Sequence, residues 1–143
     1  MNNKVASEKI AVKMSDGDVI DWQEAMDQCG DDEEFLRELL SDLRGEIDAQ
    51  LVKIEDALKT VNDQSFLLIM RASHVIKGAS SNLMCGQLRE TSTNLEQGAA
   101  GANQIETANT SALEAETVKV KDIFEKLKTA VDNYHKFLDS VGI

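Results

Sequence analysis

The chain has 143 residues, 42% hydrophobic and only 4% aromatic, with 26 acidic against 15 basic side chains and a formal net charge of -11. This is enough for one core built from aliphatic side chains, and the acidic balance argues against a nucleic-acid surface, which needs clustered Lys and Arg. No apolar run approaches the roughly 20 residues that span a bilayer and the first residues hold no hydrophobic signal core, so a soluble, cytoplasmic protein with no membrane partner is expected; at 15.7 kDa it could also pass into a nucleus without a targeting motif.

Proline is absent and strong helix formers dominate, which predicts an all-α protein. Residues 1–17 carry a weak pattern and finish in Ser15-Asp16-Gly17, so they read as a flexible N-terminal arm ahead of one domain over 18–143. Asp18 is placed to cap a first short helix, Val19 to Cys29, stopped by Gly30. Asp31 with Glu34 gives a capping-box-like start to a long helix reaching about Thr60. Its core stripe is Leu36, Leu40, Leu43, Ile47, Leu51, Ile54, Leu58 and Val61, and Gly45 inside that spacing predicts a local bend rather than a break.

Asn62-Asp63 turns the chain into a third helix over Ser65 to Leu83. After Met84 to Gly86 a shorter helix is predicted to about Gly98, with a loop over Gly98-Ala99-Ala100-Gly101-Ala102-Asn103. Ser111 with Glu114 opens the last helix, whose stripe Val120, Phe124, Leu127, Val131, Tyr134, Leu138, Val141 holds a three-four alternation. Four amphipathic helices joined by mostly short turns predict an antiparallel up-down four-helix bundle, the first short helix lying across one end with Trp22 as its anchor. Cys29 and Cys85 have neither metal nor redox spacing and read as buried fillers in a reducing compartment.

The third helix carries the chemistry. One of its stripes, Ile69, Ala72, Ser73, Ile76, Ala79, Ser80, Leu83, is apolar or small throughout and has the spacing of a packed face. His74 lies off it, on the stripe Leu67, Met70/Arg71, His74, Lys77/Gly78, Ser81, and should project outward. Lys77 and Gly78 fall one helical turn after His74 and so share its face. A nucleophilic imidazole, a cation and a bare patch of backbone suit the receipt of an anionic group, and a mid-helix glycine otherwise costs about 1 kcal/mol relative to alanine. Residues 64–89 contain no Asp or Glu, yet hold Arg71, Lys77 and Arg89. An apolar central helix accounts for few acids but not for these cations.

These residues resemble the signature of histidine-containing phosphotransfer (HPt) domains, in which His-x-x-Lys-Gly is followed by small residues and an apolar position ahead of a turn. His74, Lys77, Gly78, Ala79, Ser80, Ser81 and Leu83 match it position by position. The family commonly has glycine next, where this chain has Met84 and its nearest glycine is Gly86, which implies a turn built slightly differently. Leu88 and Leu95 fall at apolar places of the family's following helix, and Glu96 falls where members often carry the Gln or Glu that orients the histidine. Asp31-Asp32-Glu33-Glu34-Phe35-Leu36-Arg37-Glu38-Leu39-Leu40 also looks like the start of a family helix, so the resemblance covers residues 18–143.

The resemblance implies a phosphorelay carrier, with response-regulator receiver domains and a hybrid sensor histidine kinase as partners. His74 Nε2 would take a phosphoryl group from an aspartate of one receiver and yield it to an aspartate of another. The receiver would bring the Mg²⁺, so the chain would need no cofactor of its own. Lys77 and Arg71 would offset phosphate charge, Gly78 would leave room for the receiver's loops, and Glu96 would hold Nδ1–H. Leu67, Leu68, Met70, Val75 and Met84, with Ser81 and Arg89, are the candidates for partner docking by a monomer.

Other chemistries find little support. Two histidines, His74 and His135, with no His-Glu-x-x-His or paired-cysteine spacing, do not suggest a metal site, and no phosphate-cradling glycine loop is present, so no autonomous kinase activity is expected. His135 lacks a lysine one turn on and reads as a surface histidine. The alternative function is an acidic helical adaptor that binds a receiver or other partner through the same patch without being phosphorylated.

Overall fold

A computed structural model describes residues 18–143; the arm expected over 1–17 lies outside the described residues. These residues form five helices and no strand: α1 (Trp22–Gln28), α2 (Glu33–Lys59), α3 (Ser65–Asn82), α4 (Gly86–Asn103) and α5 (Thr110–Ser140). Each of the four long helices packs against the next in the chain, and α5 also touches α2. Their facing stripes form one core, in which Leu36, Leu40, Ile47, Ile54, Ile69, Ile76, Leu88, Leu95, Leu127 and Leu138 are fully buried. Leu51 and Val61, placed on the α2 stripe by their spacing, are only half-buried at its margin.

Three helix starts differ from the sequence reading. Val19 and Ile20 are drawn into the core instead of opening a helix, and the chain there pairs with the turn between α3 and α4. Asp21 N–H donates to Met84 C=O at 2.9 Å, and Gln87 N–H donates to Asp18 C=O at 2.8 Å. The cap of α1 is therefore Asp21, whose carboxylate accepts from Glu24 N–H. Gly30 and Asp31 both take left-handed backbone, φ 64 and 60, so the reversal uses Asp31 itself and passes the cap of α2 to Asp32, which accepts from Phe35 N–H at 3.1 Å. Asn109 rather than Ser111 caps α5, accepting from Ala112 N–H.

The loop expected over 98–103 is helix. Ala99 and Ala102 are buried in line with Leu88, Ser92 and Leu95, so the apolar face simply continues in small residues. Gly98 belongs to this packing: a Cβ there would come within 2.8 Å of Ile123 Cδ1 on α5. Gly45 leaves α2 unbroken from Glu33 to Lys59.

Small hydroxylated residues let α3 lie close to its neighbours without orphaned polar groups. Ser73 and Ser80 are buried, and their hydroxyls donate to Ile69 C=O and Ile76 C=O, both at 2.6 Å. Between α5 and α2, the buried Tyr134 hydroxyl donates to Leu40 C=O at 2.6 Å, and burial raises its pKa above the ordinary phenol value. Trp22 is buried with its ring centroid 6.0 Å from that of Phe137, which anchors α1 on α5. Cys85 is the buried filler expected, its thiol pushed up to about 12 by burial, whereas Cys29 is half-buried. His135, expected at the surface, has a side chain 29% exposed, with Nε2 3.2 Å from Asp48 Oδ1 on α2.

Candidate functional site

The packed stripe of α3 fixes where His74 points. With Ser73 and Ile76 buried against the neighbouring helices, the intervening direction faces out, and the His74 side chain is 65% exposed. Leu95 is buried on α4, which turns the adjacent Glu96 toward α3. Its Oε2 lies 2.8 Å from His74 Nδ1, and its Oε1 accepts from Lys77 Nζ at 2.7 Å. An ionised carboxylate can only accept, so Nδ1 carries the proton and Nε2 is the ring nitrogen with the free lone pair. Nε2 makes no hydrogen bond among the described residues.

Glu96 thus joins two residues that are themselves one helical turn apart. Partial burial would raise its pKa, but the hydrogen bonds from Lys77 and His74 and the ammonium charge of Lys77 prevail, and the carboxyl sits below its ordinary value. Lys77 is consequently not a free cation awaiting phosphate; in this state its ammonium is paired with Glu96, and the lysine side chain is 31% exposed.

Gly78 is exposed, and a Cβ built on it would meet nothing within 4 Å. The glycine therefore answers no packing need inside the fold. Beside His74 it leaves a stretch of uncovered helix backbone.

The residues proposed for docking fall into three groups. Leu68, Arg71 and Val75 are exposed and line a groove of about 500 Å³ between α2 and α3, with Gln50, Lys53 and Asp56 on the opposite wall. Ser81, Met84 and Arg89 line a smaller cleft of about 200 Å³ at the α3–α4 turn, together with Asp18 and Asp21. Leu67 and Met70 are half-buried, and Met70 packs against the core. The α2 wall of the larger groove has no signal in the sequence, because Lys53 and Asp56 look there like any charged pair on a solvated helix face.

The turn expected to be built slightly differently centres on Met84. Met84 itself holds left-handed backbone, φ 59, while Gly86 is the first residue of α4. The position where the family commonly has glycine thus keeps the conformation glycine favours, and this chain fills it with methionine.

The match to known families agrees with this geometry. The family model described as Hpt domain matches residues 38–134, and the chain belongs to that family. Membership supports a phosphotransfer role in two-component signalling, in which Hpt domains interact with receiver domains. No curated protein and no solved structure gives a significant match. The α1 helix and the chain leading into it lie outside the matched stretch but pack on the same core. Among the described residues, no helix is long and apolar enough to cross a membrane.

Proposed function

We propose that the chain is a phosphorelay carrier in which His74 is phosphorylated on Nε2. Supporting this is one observation above all: an exposed imidazole whose Nδ1 is held by a carboxylate of the neighbouring helix, leaving the outer nitrogen as the nucleophile. In the first half-reaction the Nε2 lone pair forms a P–N bond as the P–O bond to a receiver aspartate breaks, and that electron pair returns to the carboxylate. The second half-reaction runs the same exchange in reverse, toward the aspartate of another receiver.

Phosphoryl transfer depends chiefly on positioning and charge. The Mg²⁺ belongs to the receiver, and the carrier supplies the oriented ring, the cations Lys77 and Arg71, and the clearance over Gly78. Leu68, Arg71 and Val75 form the adjoining docking surface, with Ser81, Met84 and Arg89 at its far end. The upstream source of phosphate is a hybrid sensor histidine kinase. The working unit is a monomeric, cytoplasmic phosphoprotein domain over residues 18–143, its four long helices arranged as an antiparallel up-down bundle with α1 across one end.

Incubation with a phosphorylated receiver tests this reading. Acid-labile, base-stable label should appear on the wild-type chain and not on His74→Gln. Receiver binding without any label would favour the adaptor instead.

A further inference from the structure

The residue that holds His74 is a carboxylate rather than a neutral amide, and this bears on the step after phosphorylation. Resting on the carrier reading above, we propose that Glu96 is a positioning residue that keeps the Nδ1 proton on the phosphorylated ring, so that His74 leaves phosphorus as neutral imidazole. The neutral Nδ1–H tautomer attacks through Nε2, and formation of the P–N bond therefore leaves a phosphoimidazolium with one positive charge on the ring. Loss of Nδ1–H to water would convert it to neutral phosphoimidazole, from which the ring could depart only as an imidazolate anion, a poor leaving group. With the proton retained, P–N cleavage by a receiver carboxylate returns the electron pair to Nε2 and restores the starting tautomer.

A carboxylate 2.8 Å from Nδ1 favours the charged ring in a way an amide oxygen cannot. Lys77 works against it, because its ammonium shares the same carboxylate at 2.7 Å. Near the ring, α3 itself contributes Arg71 and Lys77 and α4 contributes Glu96, while the charged residues of α2, Lys53 and Asp56, line the adjoining groove with Arg71 and Val75. Of these, Glu96 is the group hydrogen-bonded to the imidazole. The two partners of Glu96 thus predict opposite signs: removing its charge makes the phosphorylated ring easier to deprotonate, and removing the Lys77 charge makes it harder.

The test loads His74 chemically with phosphoramidate, which needs no partner protein, and follows the ¹⁵N resonance of Nδ1 against pH in the full chain. Wild type should deprotonate about one pH unit or more above Glu96→Gln, a roughly tenfold difference in the ratio of protonated to deprotonated ring at a given pH. Lys77→Gln should shift the midpoint upward from wild type, and since it leaves Glu96 in place it keeps the test decisive if Glu96→Gln fails to fold. An unmoved midpoint in Glu96→Gln, or a Lys77→Gln midpoint at or below wild type, overturns the proposal. Exchange between the loaded wild-type chain and receivers is scored separately. Normal exchange with unmoved midpoints defeats this inference alone, the predicted midpoints without exchange defeat the carrier reading alone, and a wild-type chain that phosphoramidate cannot load defeats both.

Discussion

Glu96 Oε2 stands 2.8 Å from His74 Nδ1 although 22 residues separate them, because α3 and α4 fold back on each other about the turn at Met84. His74 is thus oriented by the opposite limb of a helical hairpin, so the nucleophilic role proposed for it depends on the alignment of two helices.

His74→Gln should fold as wild type does, since the side chain lies largely in solvent, and should accept no phosphoryl group from a phosphorylated receiver. His135→Gln should transfer at the wild-type rate, because His135 sits between α5 and α2 beside Asp48. Label persisting on the His74 variant would end the assignment of the nucleophile.

At Gly78 stability and activity should part company. The space around it is open, so Gly78→Ala should stabilise α3 by up to about 1 kcal/mol, while progressively larger residues slow transfer. A Gly78→Gln variant that transfers as fast as wild type would show that no partner approaches this backbone.

Lys77→Gln should slow phosphoryl transfer and shorten the lifetime of the phosphohistidine, with Lys77→Arg retaining more activity. Loss of its partly exposed pair with Glu96 should cost no more than about 1 kcal/mol in thermal unfolding. Equal transfer rates for all three proteins, measured with one receiver at fixed salt, would reduce Lys77 to a structural partner of Glu96.

Asp31 holds left-handed backbone at φ 60 and is exposed, so its side chain loses little when removed. Asp31→Gly should raise stability by about 1 kcal/mol, read as a higher denaturant midpoint at unchanged slope. Met84, at φ 59, should gain less from the same change because it also packs against the core. A lower midpoint for Asp31→Gly would mean that the carboxylate contributes more than the backbone costs.

The depressed pKa of Glu96 makes stability pH-dependent in a defined direction. A carboxyl lowered in the folded state stabilises fully above its unfolded value, about 4.3, and that contribution is lost as pH falls through the folded value. The stability gap between wild type and Glu96→Gln should therefore be constant near neutrality and close in acid. Urea unfolding at a series of pH values measures it, and a gap that widens on acidification would contradict the assignment.

Much of this was legible because the helices are strongly periodic: the outward direction of His74 follows from Ser73 and Ile76 facing the core, and the partnership with Glu96 from the resemblance to the family. Helix ends were less legible. Asp18, Asp31 and Ser111 are as good caps locally as Asp21, Asp32 and Asn109; backbone pairing with the α3–α4 turn holds Asp18 outside the helix, and left-handed backbone does the same for Asp31. The run from Gly98 to Asn103 looked like a loop because glycine and alanine are read as punctuation, whereas here they admit a close helix neighbour. The gap in acids over 64–89 holds along the chain but not in space, since Glu96 of α4 reaches His74 and Asp56 of α2 lines a groove with Arg71.

The two backbone hydrogen bonds from residues 18 and 21 to residues 87 and 84 act as a clasp on the closed end of the α3–α4 hairpin. A slip of one residue at that end would rotate Glu96 by about 100° around its helix and carry it off the imidazole. One side of the clasp, residues 18 and 21, lies outside the family match, which begins at residue 38. A chain cut back to the matched residues would keep His74, Lys77, Gly78 and Glu96 and yet lose the two hydrogen bonds that fasten the turn between their helices, so the packed fold extends past the boundary of the recognisable sequence.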